Sequence, residues 1–176
     1  SVKTLYIDCS ISGISGDMTL AALVDAGADL RAIEAQMQAF PIEPFRLEVE
    51  GVVKTGIYSQ KLRVIQDPDH PPVHHRHYST IKKMIDDSSL TERAKELAQA
   101  IFQPIALAEA KIHHVSIEKV HFHEVGAVDS IIDAAGVAIA LDQLQIERIV
   151  ASPVVVGSGK IDIDHGKYPV PAPATL

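Results

Sequence analysis

The stretch from His121 to Asp133 places two imidazoles and three carboxylates within thirteen residues. In an extended segment alternate side chains point to the same face, so His121 and His123 should lie side by side. From about Glu124 onward the apolar spacing becomes helical, and Asp129 and Asp133 are then neighbours on one helix face. Imidazole combined with carboxylate suits nickel, zinc, manganese or cobalt. We predict a divalent-metal site formed by His121, His123, Glu124 and Asp129; the alternative is a helix start with packed imidazoles and solvated aspartates.

A second candidate lies near the beginning of the chain, where a short strand, Thr4–Asp8, precedes a loop of small residues. A helix is predicted from about Met18 to Ala26. Amides at a helix N-terminus, together with such a loop, can cradle an anion. The loop lacks the spacing of a Walker motif or of a dinucleotide fingerprint. We predict that a phosphate is bound by Ser12, Gly13, Ser15 and Gly16.

Two acids flank this loop, Asp8 and Asp17. They could hold a metal that bridges to the bound phosphate, and we predict them, together with Glu124, as the catalytic carboxylates. The alternative interpretation is a tight turn in which Ser15 or Asp17 caps the helix.

The segment from Gln66 to His77 is rich in proline and histidine and has no apolar periodicity. We expect a mobile loop outside the core. Neutral imidazoles in such a segment capture metal weakly, so His74, His75 and His77 are predicted as auxiliary ligands that deliver the metal. A solvated loop without a role is the alternative.

Composition excludes several classes of protein. The chain has 176 residues, 47% of them hydrophobic and 22% charged, with a net charge of −7. These values fit one globular domain, or one and a half, and exclude wholesale disorder and a basic nucleic-acid surface. No apolar run approaches the length of a membrane span. Cys9 is the single cysteine, which rules out an internal disulfide framework and fits a reducing cytoplasm. We expect a cytoplasmic protein that binds neither nucleic acid nor membrane.

Strands and helices alternate along the chain, so we predict an α/β fold, with α+β as the alternative. The expected architecture is a mixed sheet with packed helices and one hairpin, whose strands run from Phe45 to Val53 and from Ile57 to Ile65. If the strands that precede Cys9 and Glu124 are adjacent and parallel, the two candidate loops converge. Residues 1–164 form the predicted domain, and the proline-spaced residues 165–176 are expected to lead into a further, absent part.

Helix boundaries can be predicted from local signals. Asp29 should start a helix after Gly27, Ser79 should cap another, and Thr91 should start a longer one that ends at His113 and His114. Pro104 should kink or divide that longer helix. A buried strand is predicted from Arg148 to Val156, interrupted at Pro153.

Several motifs, taken together, resemble the LarC family, the nickel-insertion proteins of nickel-pincer cofactor synthesis. They are Leu5-Tyr6-Ile7-Asp8, the segment from Ser12 to Met18, the His-rich loop, the string from Val120 to Ser130, and Pro169 to Thr175. The likeness runs in order from residue 4 to 176. Family members are longer, so the resemblance implies the N-terminal part of such a protein.

The resemblance also implies an activity. The full-length enzyme would be a lyase-type, CTP-dependent nickel insertase that forms one nickel–carbon and two nickel–sulfur bonds in pyridinium bis-thiocarboxylic acid mononucleotide. Its product would serve a racemase apoenzyme. CTP, with manganese or magnesium, is expected in the C-terminal part, so this part alone should be inactive. A homo-oligomer is expected.

Two other functions stay open at this point. The chain could be a non-catalytic nickel carrier or store that uses the His-rich loop. It could also be a metal-dependent phosphohydrolase, with metals held by Asp8, Asp17, His121 and His123.

Overall fold

The computed structural model describes residues 3–7, 16–71, 73, 75–123, 126, 128–151, 154–156 and 159–161. The predicted class is confirmed, since helices and strands are mixed along the chain. The helices are α1 (Gly16–Asp25), α2 (Leu30–Met37), α3 (Tyr78–Asp86), α4 (Glu92–His113) and α5 (Val128–Gln143), with a 3-10 turn at Ile117–Lys119. The strands are β1 (Thr4–Ile7), β2 (Phe45–Lys54), β3 (Ile57–Gln66), β4 (Arg76–His77), β5 (His121–Phe122), β6 (Arg148–Ala151), β7 (Val154–Val156) and β8 (Gly159–Ile161).

The strands form four two-stranded pairs within the described residues. β1 runs parallel to β6, with Leu5 opposite Ile149. The pairs β2–β3, β4–β5 and β7–β8 are antiparallel. The two candidate loops were expected to converge if the strands that precede them, β1 and β5, were adjacent and parallel. This arrangement is wrong, because β1 pairs with β6 and β5 pairs with β4.

Helix α5 lies at the centre of the core, as its apolar sequence predicts. Every residue from Ala134 to Leu141 is buried, and the helix contacts α1, α2 and α4. Val128, Ile132 and Ile139, which recur at helical spacing along α5, are all buried. A helix that is apolar all round is stable only when other elements cover every face.

Two glycines allow α1 and α5 to pack closely. A Cβ added at Gly136 would lie 2.6 Å from Cδ2 of Leu20. One at Gly16, the first residue of α1, would lie 3.1 Å from Cβ of Asp133 and 3.8 Å from its Oδ2. The first residue of α1 therefore lies against the Asp133 side of α5.

The predicted hairpin is confirmed. β2 and β3 pair along their whole length, and the turn uses positive φ angles of 51° at Thr55 and 78° at Gly56. Helix α2 anchors this hairpin to the domain. Arg31 donates a hydrogen bond to the Leu47 carbonyl at 2.9 Å, and Glu34 accepts one from the Leu47 amide at 2.6 Å.

Local capping signals predict most helix boundaries correctly. The side chains of Asp29 and Thr91 cap α2 and α4, and α4 ends at His114 in the left-handed conformation. Ser79 is not a cap, because α3 begins one residue earlier at Tyr78. Pro104 does not divide α4, which continues through it as one helix.

Two further expectations need correction. The segment predicted as a loop from Gln66 to His77 begins inside β3 and ends in β4. The helix expected from about Glu124 begins at Val128. The strand predicted from Arg148 to Val156 with an interruption at Pro153 is present as β6 and β7, and β7 pairs with β8. None of the described helices is long and apolar enough to cross a membrane.

Gly126 packs closely against neighbouring backbone atoms, so we predict that protein stability is sensitive to a substitution at this position. Its Cβ would lie 2.6 Å from the Phe122 carbonyl oxygen and 2.8 Å from the Arg76 amide nitrogen, so Gly126→Ala should lower the free energy of unfolding by about 1–3 kcal/mol. Urea denaturation measures this change. Gly51→Ala is the matched control, because its Cβ meets only the exposed ring of Tyr58, and it should cause no loss. Equal stability of the two variants would contradict the prediction.

Candidate metal centre

A ribbon of two short strands brings two distant His-containing segments together. In the β4–β5 pair, Arg76 lies opposite Phe122 and His77 lies opposite His121. Arg76 and Phe122 are buried, whereas His77 and His121 are exposed. Because side chains alternate along a strand, each strand directs its one imidazole to one face of the ribbon and its buried residue to the other.

Four imidazoles meet on the exposed face of this ribbon. The ring centroid of His75 lies 6.0 Å from that of His121 and 6.0 Å from that of His123. The rings of His77 and His121 are closer, at 3.9 Å. We call His75, His77, His121 and His123 the imidazole face. The prediction that His121 and His123 share a face is supported by the contact that both make with His75.

These distances between ring centroids can be compared with the distances expected for two imidazoles that bind the same metal ion. A metal about 2.1 Å from a ring nitrogen lies about 3.2 Å from the ring centroid, so two imidazoles on one ion have centroids roughly 4.6–6.5 Å apart. The pairs that His75 forms with His121 and with His123 fall in this range. His77 and His121, at 3.9 Å, are too close to share an ion as they stand. His75 is thus the common member of both compatible pairs.

Metal binding requires these side chains to rotate. As they stand, no three His, Cys, Asp or Glu residues in the described part of the chain form a group that could hold a metal ion. The terminal torsion of a histidine is broad, and an exposed ring can turn without displacing core atoms. The ribbon therefore brings imidazoles near one another, and coordination of one ion by three of them requires ring rotation.

The buried side of the ribbon fixes it to the domain. The Phe122 ring packs against Tyr78, with centroids 5.8 Å apart, and against Phe102, at 6.4 Å. The Arg76 guanidinium donates to the Gly126 carbonyl at 2.5 Å and pairs with the Glu43 carboxylate. Apolar packing and a buried ion pair thus hold the opposite side of the strands that carry the imidazoles.

The mutual proximity of the imidazoles affects their protonation. Desolvation lowers the pKa of His121 below its usual value, and the charges of the other three imidazoles, when protonated, lower it further. A lowered pKa favours the neutral ring, which is the form that binds metal. The arrangement therefore favours the neutral, metal-binding form of the His121 ring.

The predicted carboxylate ligands are less well defined. Asp129 is exposed in the first turn of α5, and its Oδ1 accepts a hydrogen bond from the Ser130 amide at 2.9 Å. Glu124 and His74 lie outside the described residues. Their assignment as metal ligands, and that of Glu124 as a catalytic carboxylate, stays a prediction.

Most of the predicted phosphate-binding loop also lies outside the described residues, namely Asp8, Ser12, Gly13 and Ser15. The structure describes Gly16 and the backbone of Asp17 at the start of α1. Here the Asp133 side chain packs close to Gly16. A phosphate at this helix N-terminus would therefore have a carboxylate as its neighbour.

Other histidines are engaged elsewhere. His70 lies 3.0 Å from the Asp67 carboxylate in the turn after β3, and His113 lies 3.2 Å from Glu109 on α4. These two imidazoles belong to local pairs on the surface. They are useful controls, since they resemble the imidazole face in exposure and differ from it in position.

Sequence reasoning treated His75 and His77 as auxiliary loop ligands, whereas the structure brings them beside His121 and His123. A signal for this pairing was present. Both segments have the form His-x-His with one buried residue between the two imidazoles, and a period of two is typical of a strand.

Comparisons with known proteins agree with this chemistry. A family model described as "nickel insertion protein" matches residues 5–176. A pyridinium-3,5-bisthiocarboxylic acid mononucleotide nickel insertion protein of Staphylococcus epidermidis is 51% identical over 174 residues, which are 98% of this chain and 43% of that protein. A protein of the same name from Geobacillus kaustophilus is 50% identical over 182 residues, covering 99% of this chain and 44% of that protein. The chain thus spans less than half the length of these relatives. No solved structure matches it.

We expect His121→Ala and His123→Ala each to weaken nickel binding strongly. Changes behind a metal ligand already cost about 10–100-fold in affinity, so removal of a ligand should cost at least as much. Both residues are exposed, so the free energy of unfolding should stay within about 0.5 kcal/mol. Calorimetric titration with nickel measures the affinity, and His113→Ala is the control. Normal nickel binding with reduced stability would show that the imidazoles only pack.

The lowered pKa of His121 predicts how stability depends on pH in metal-free protein. The unfolded imidazole titrates near about 6.5, so below that pH the unfolded chain binds more protons than the folded one. The contribution of His121 to stability is therefore present above about pH 6.5 and is lost as the pH falls through the lower folded pKa. Thermal unfolding between pH 7 and 5 should show a smaller loss of stability in His121→Gln than in the parent. An equal or larger loss in the variant would contradict this assignment.

Proposed function

Because this chain belongs to the nickel insertion protein family, we propose that its imidazole face holds nickel for insertion into pyridinium-3,5-bisthiocarboxylic acid mononucleotide. The substrate is taken from the names of the relatives. The observation that carries the proposal is the position of His75, whose ring lies at a metal-compatible distance from both His121 and His123. Nickel is here a substrate of the reaction.

The chemistry of the ligands supports this role. A product in which nickel is bound by sulfur and carbon offers the metal a softer environment than imidazole does. Exposed, neutral imidazoles can hold the ion and then release it, whereas a set of thiolates would compete with the product. Cys9 is the single cysteine of the chain, so the donors available here are imidazole and carboxylate.

The insertion step also needs a base. Replacing a ring carbon–hydrogen bond by a carbon–nickel bond, with nickel remaining divalent, releases one proton and transfers no net electron. Glu124 follows His123 directly and is our proposed acceptor for that proton. Asp8 and Asp17 stay proposed as carboxylates beside the phosphate.

We place the phosphate of the mononucleotide at the loop from Ser12 to Gly16. The beginning of α1 at Gly16 supports this proposal, because the loop then leads into free helix amides. The nearby Asp133 carboxylate suggests that a cation accompanies the phosphate. Oriented binding of metal and mononucleotide close together is most of what the insertion requires.

Gly13→Val tests the phosphate site. A branched side chain should block close approach of the backbone to the phosphate and weaken mononucleotide binding, while nickel affinity stays unchanged. Gly13 is a better choice than Gly16, which packs against Asp133. Fluorescence or calorimetric titration with the mononucleotide measures the effect in folded protein, and unchanged affinity would reject this loop as the phosphate site.

The remaining features of the reaction belong to the longer protein. We propose that this chain is the N-terminal part of a lyase-type insertase, with CTP and manganese or magnesium bound in the remainder, a racemase apoenzyme as recipient, a homo-oligomeric state and a cytoplasmic location. These proposals rest on the resemblance of the sequence motifs, together with a chain that spans 43–44% of its relatives.

A reconstituted reaction tests this division. The 176-residue chain should bind nickel and yet fail to metallate the precursor in the presence of CTP, whereas the full-length protein should succeed. Absorption spectroscopy and mass spectrometry of the small-molecule product measure the outcome. Robust insertion by the isolated chain would overturn the division.

A nickel carrier is the second candidate, because all four members of the imidazole face are exposed to solvent. The stoichiometry of binding separates the two functions. An insertase should hold about one nickel ion per chain on this face, since the ligands suffice for one coordination sphere. A store would bind several ions, with His70 and the rest of the His-rich loop contributing, and would convert nothing.

A further inference from the structure

Arg76 lies between two members of the imidazole face in sequence and on the opposite side of the ribbon in space. The residue is 9% exposed. Its Nη1 donates to the Gly126 carbonyl oxygen at 2.5 Å, and its Nη2 donates to the Glu43 carboxylate. One buried guanidinium therefore contacts two separate segments directly behind the imidazoles.

These contacts join three parts of the chain that are far apart in sequence. Arg76 belongs to β4, Glu43 precedes β2, and Gly126 lies between β5 and α5. The segment that contains Gly126 follows His123 directly. Arg76 therefore links the segment that carries His75 and His77 to the segment that carries His121 and His123.

Gly126 is held at this position by backbone packing as well. An added Cβ would overlap the Phe122 carbonyl oxygen at 2.6 Å and the Arg76 amide nitrogen at 2.8 Å. The backbone at Gly126 is thus packed directly against both strands of the ribbon.

A net gain in protein stability does not explain well why the Arg76–Glu43 ion pair is buried behind the imidazoles. The side chains of Arg76 and Glu43 are 8% and 11% exposed, and a buried ion pair often contributes little more to stability than apolar residues of similar size. In addition, Glu43 Oε2 is buried without a hydrogen-bond partner among the described residues. The pair instead fixes direction, because a planar guanidinium donates along set directions to two acceptors at once.

The ribbon needs such a constraint. Each strand has two residues, and an isolated pair of short strands is marginal in water. Affinity for a metal depends on ligands held at defined distances by the residues behind them. We propose that Arg76 is a positioning residue for nickel, and that its bonds to Glu43 and Gly126 align the two pairs of imidazoles. This inference rests on the proposed function of the imidazole face.

The test compares stability with nickel affinity in a set of full-chain variants. Arg76→Met leaves Glu43 buried and unpaired, so it should reduce both quantities. Arg76→Met combined with Glu43→Leu removes the whole ion pair, so stability should recover. Arg76→Lys restores a positive charge without the planar fork. Arg63→Met is the matched control, because Arg63 forms an exposed pair with Glu50 at 3.6 Å on the hairpin.

All titrations are done at a temperature at which circular dichroism shows every variant to be folded. We expect nickel affinity to fall about 10–100-fold in Arg76→Met and to remain low in the double variant. Arg76→Lys should recover part of the affinity, and Arg63→Met should behave as the parent. The visible spectrum of bound cobalt(II), which reports coordination geometry, should change in the Arg76 variants alone.

The outcomes separate this inference from the proposed function. If His121→Ala abolishes nickel binding and Arg76→Met does not weaken it, the positioning role is wrong and the imidazole face stands. Recovery of nickel affinity in parallel with stability in the double variant would likewise show that Arg76 is merely structural. If His121→Ala leaves nickel binding unchanged, the imidazole face is not the nickel site, and both proposals fall.

Discussion

The candidate metal centre depends on the register of two very short strands. Arg76 faces Phe122 across the ribbon, and both side chains are buried. Because side chains alternate, burial of these two residues exposes the imidazoles on either side of them. A slip of one residue would turn the imidazoles of one strand toward the core. On the buried face of the ribbon, the aromatic packing of Phe122 and the hydrogen bonds of the Arg76 guanidinium fix this register.

The helical core provides the frame against which this ribbon is held. Helix α5 is buried along most of its length and begins shortly after the ribbon ends. Close approach at Gly16 and Gly136 lets α1 pack against it. The first turn of α1 therefore lies against α5, the helix that follows the ribbon in the chain.

Local features of the fold could be predicted because their causes are local. Asp29 and Thr91 cap their helices with their own side chains, and the hairpin turn uses Gly56 at a φ of 78°, a conformation that glycine adopts readily. The ribbon could not be predicted in this way. Strands of two residues leave only the short His-x-His pattern as a signal, and the prolines near His75 favour a loop. The pairing depends on contacts between residues 76 and 122, and the role of Arg76 depends on Glu43 and Gly126, none of which a local pattern contains.

The central claim is that the imidazole face binds nickel, and the most direct measurement is anomalous diffraction at the nickel edge from crystals that contain one equivalent of nickel. We predict an anomalous peak about 2.1 Å from ring nitrogens of His75 and of His121 or His123. A peak at His70, or beside His113 and His114, with none at the imidazole face would contradict the account.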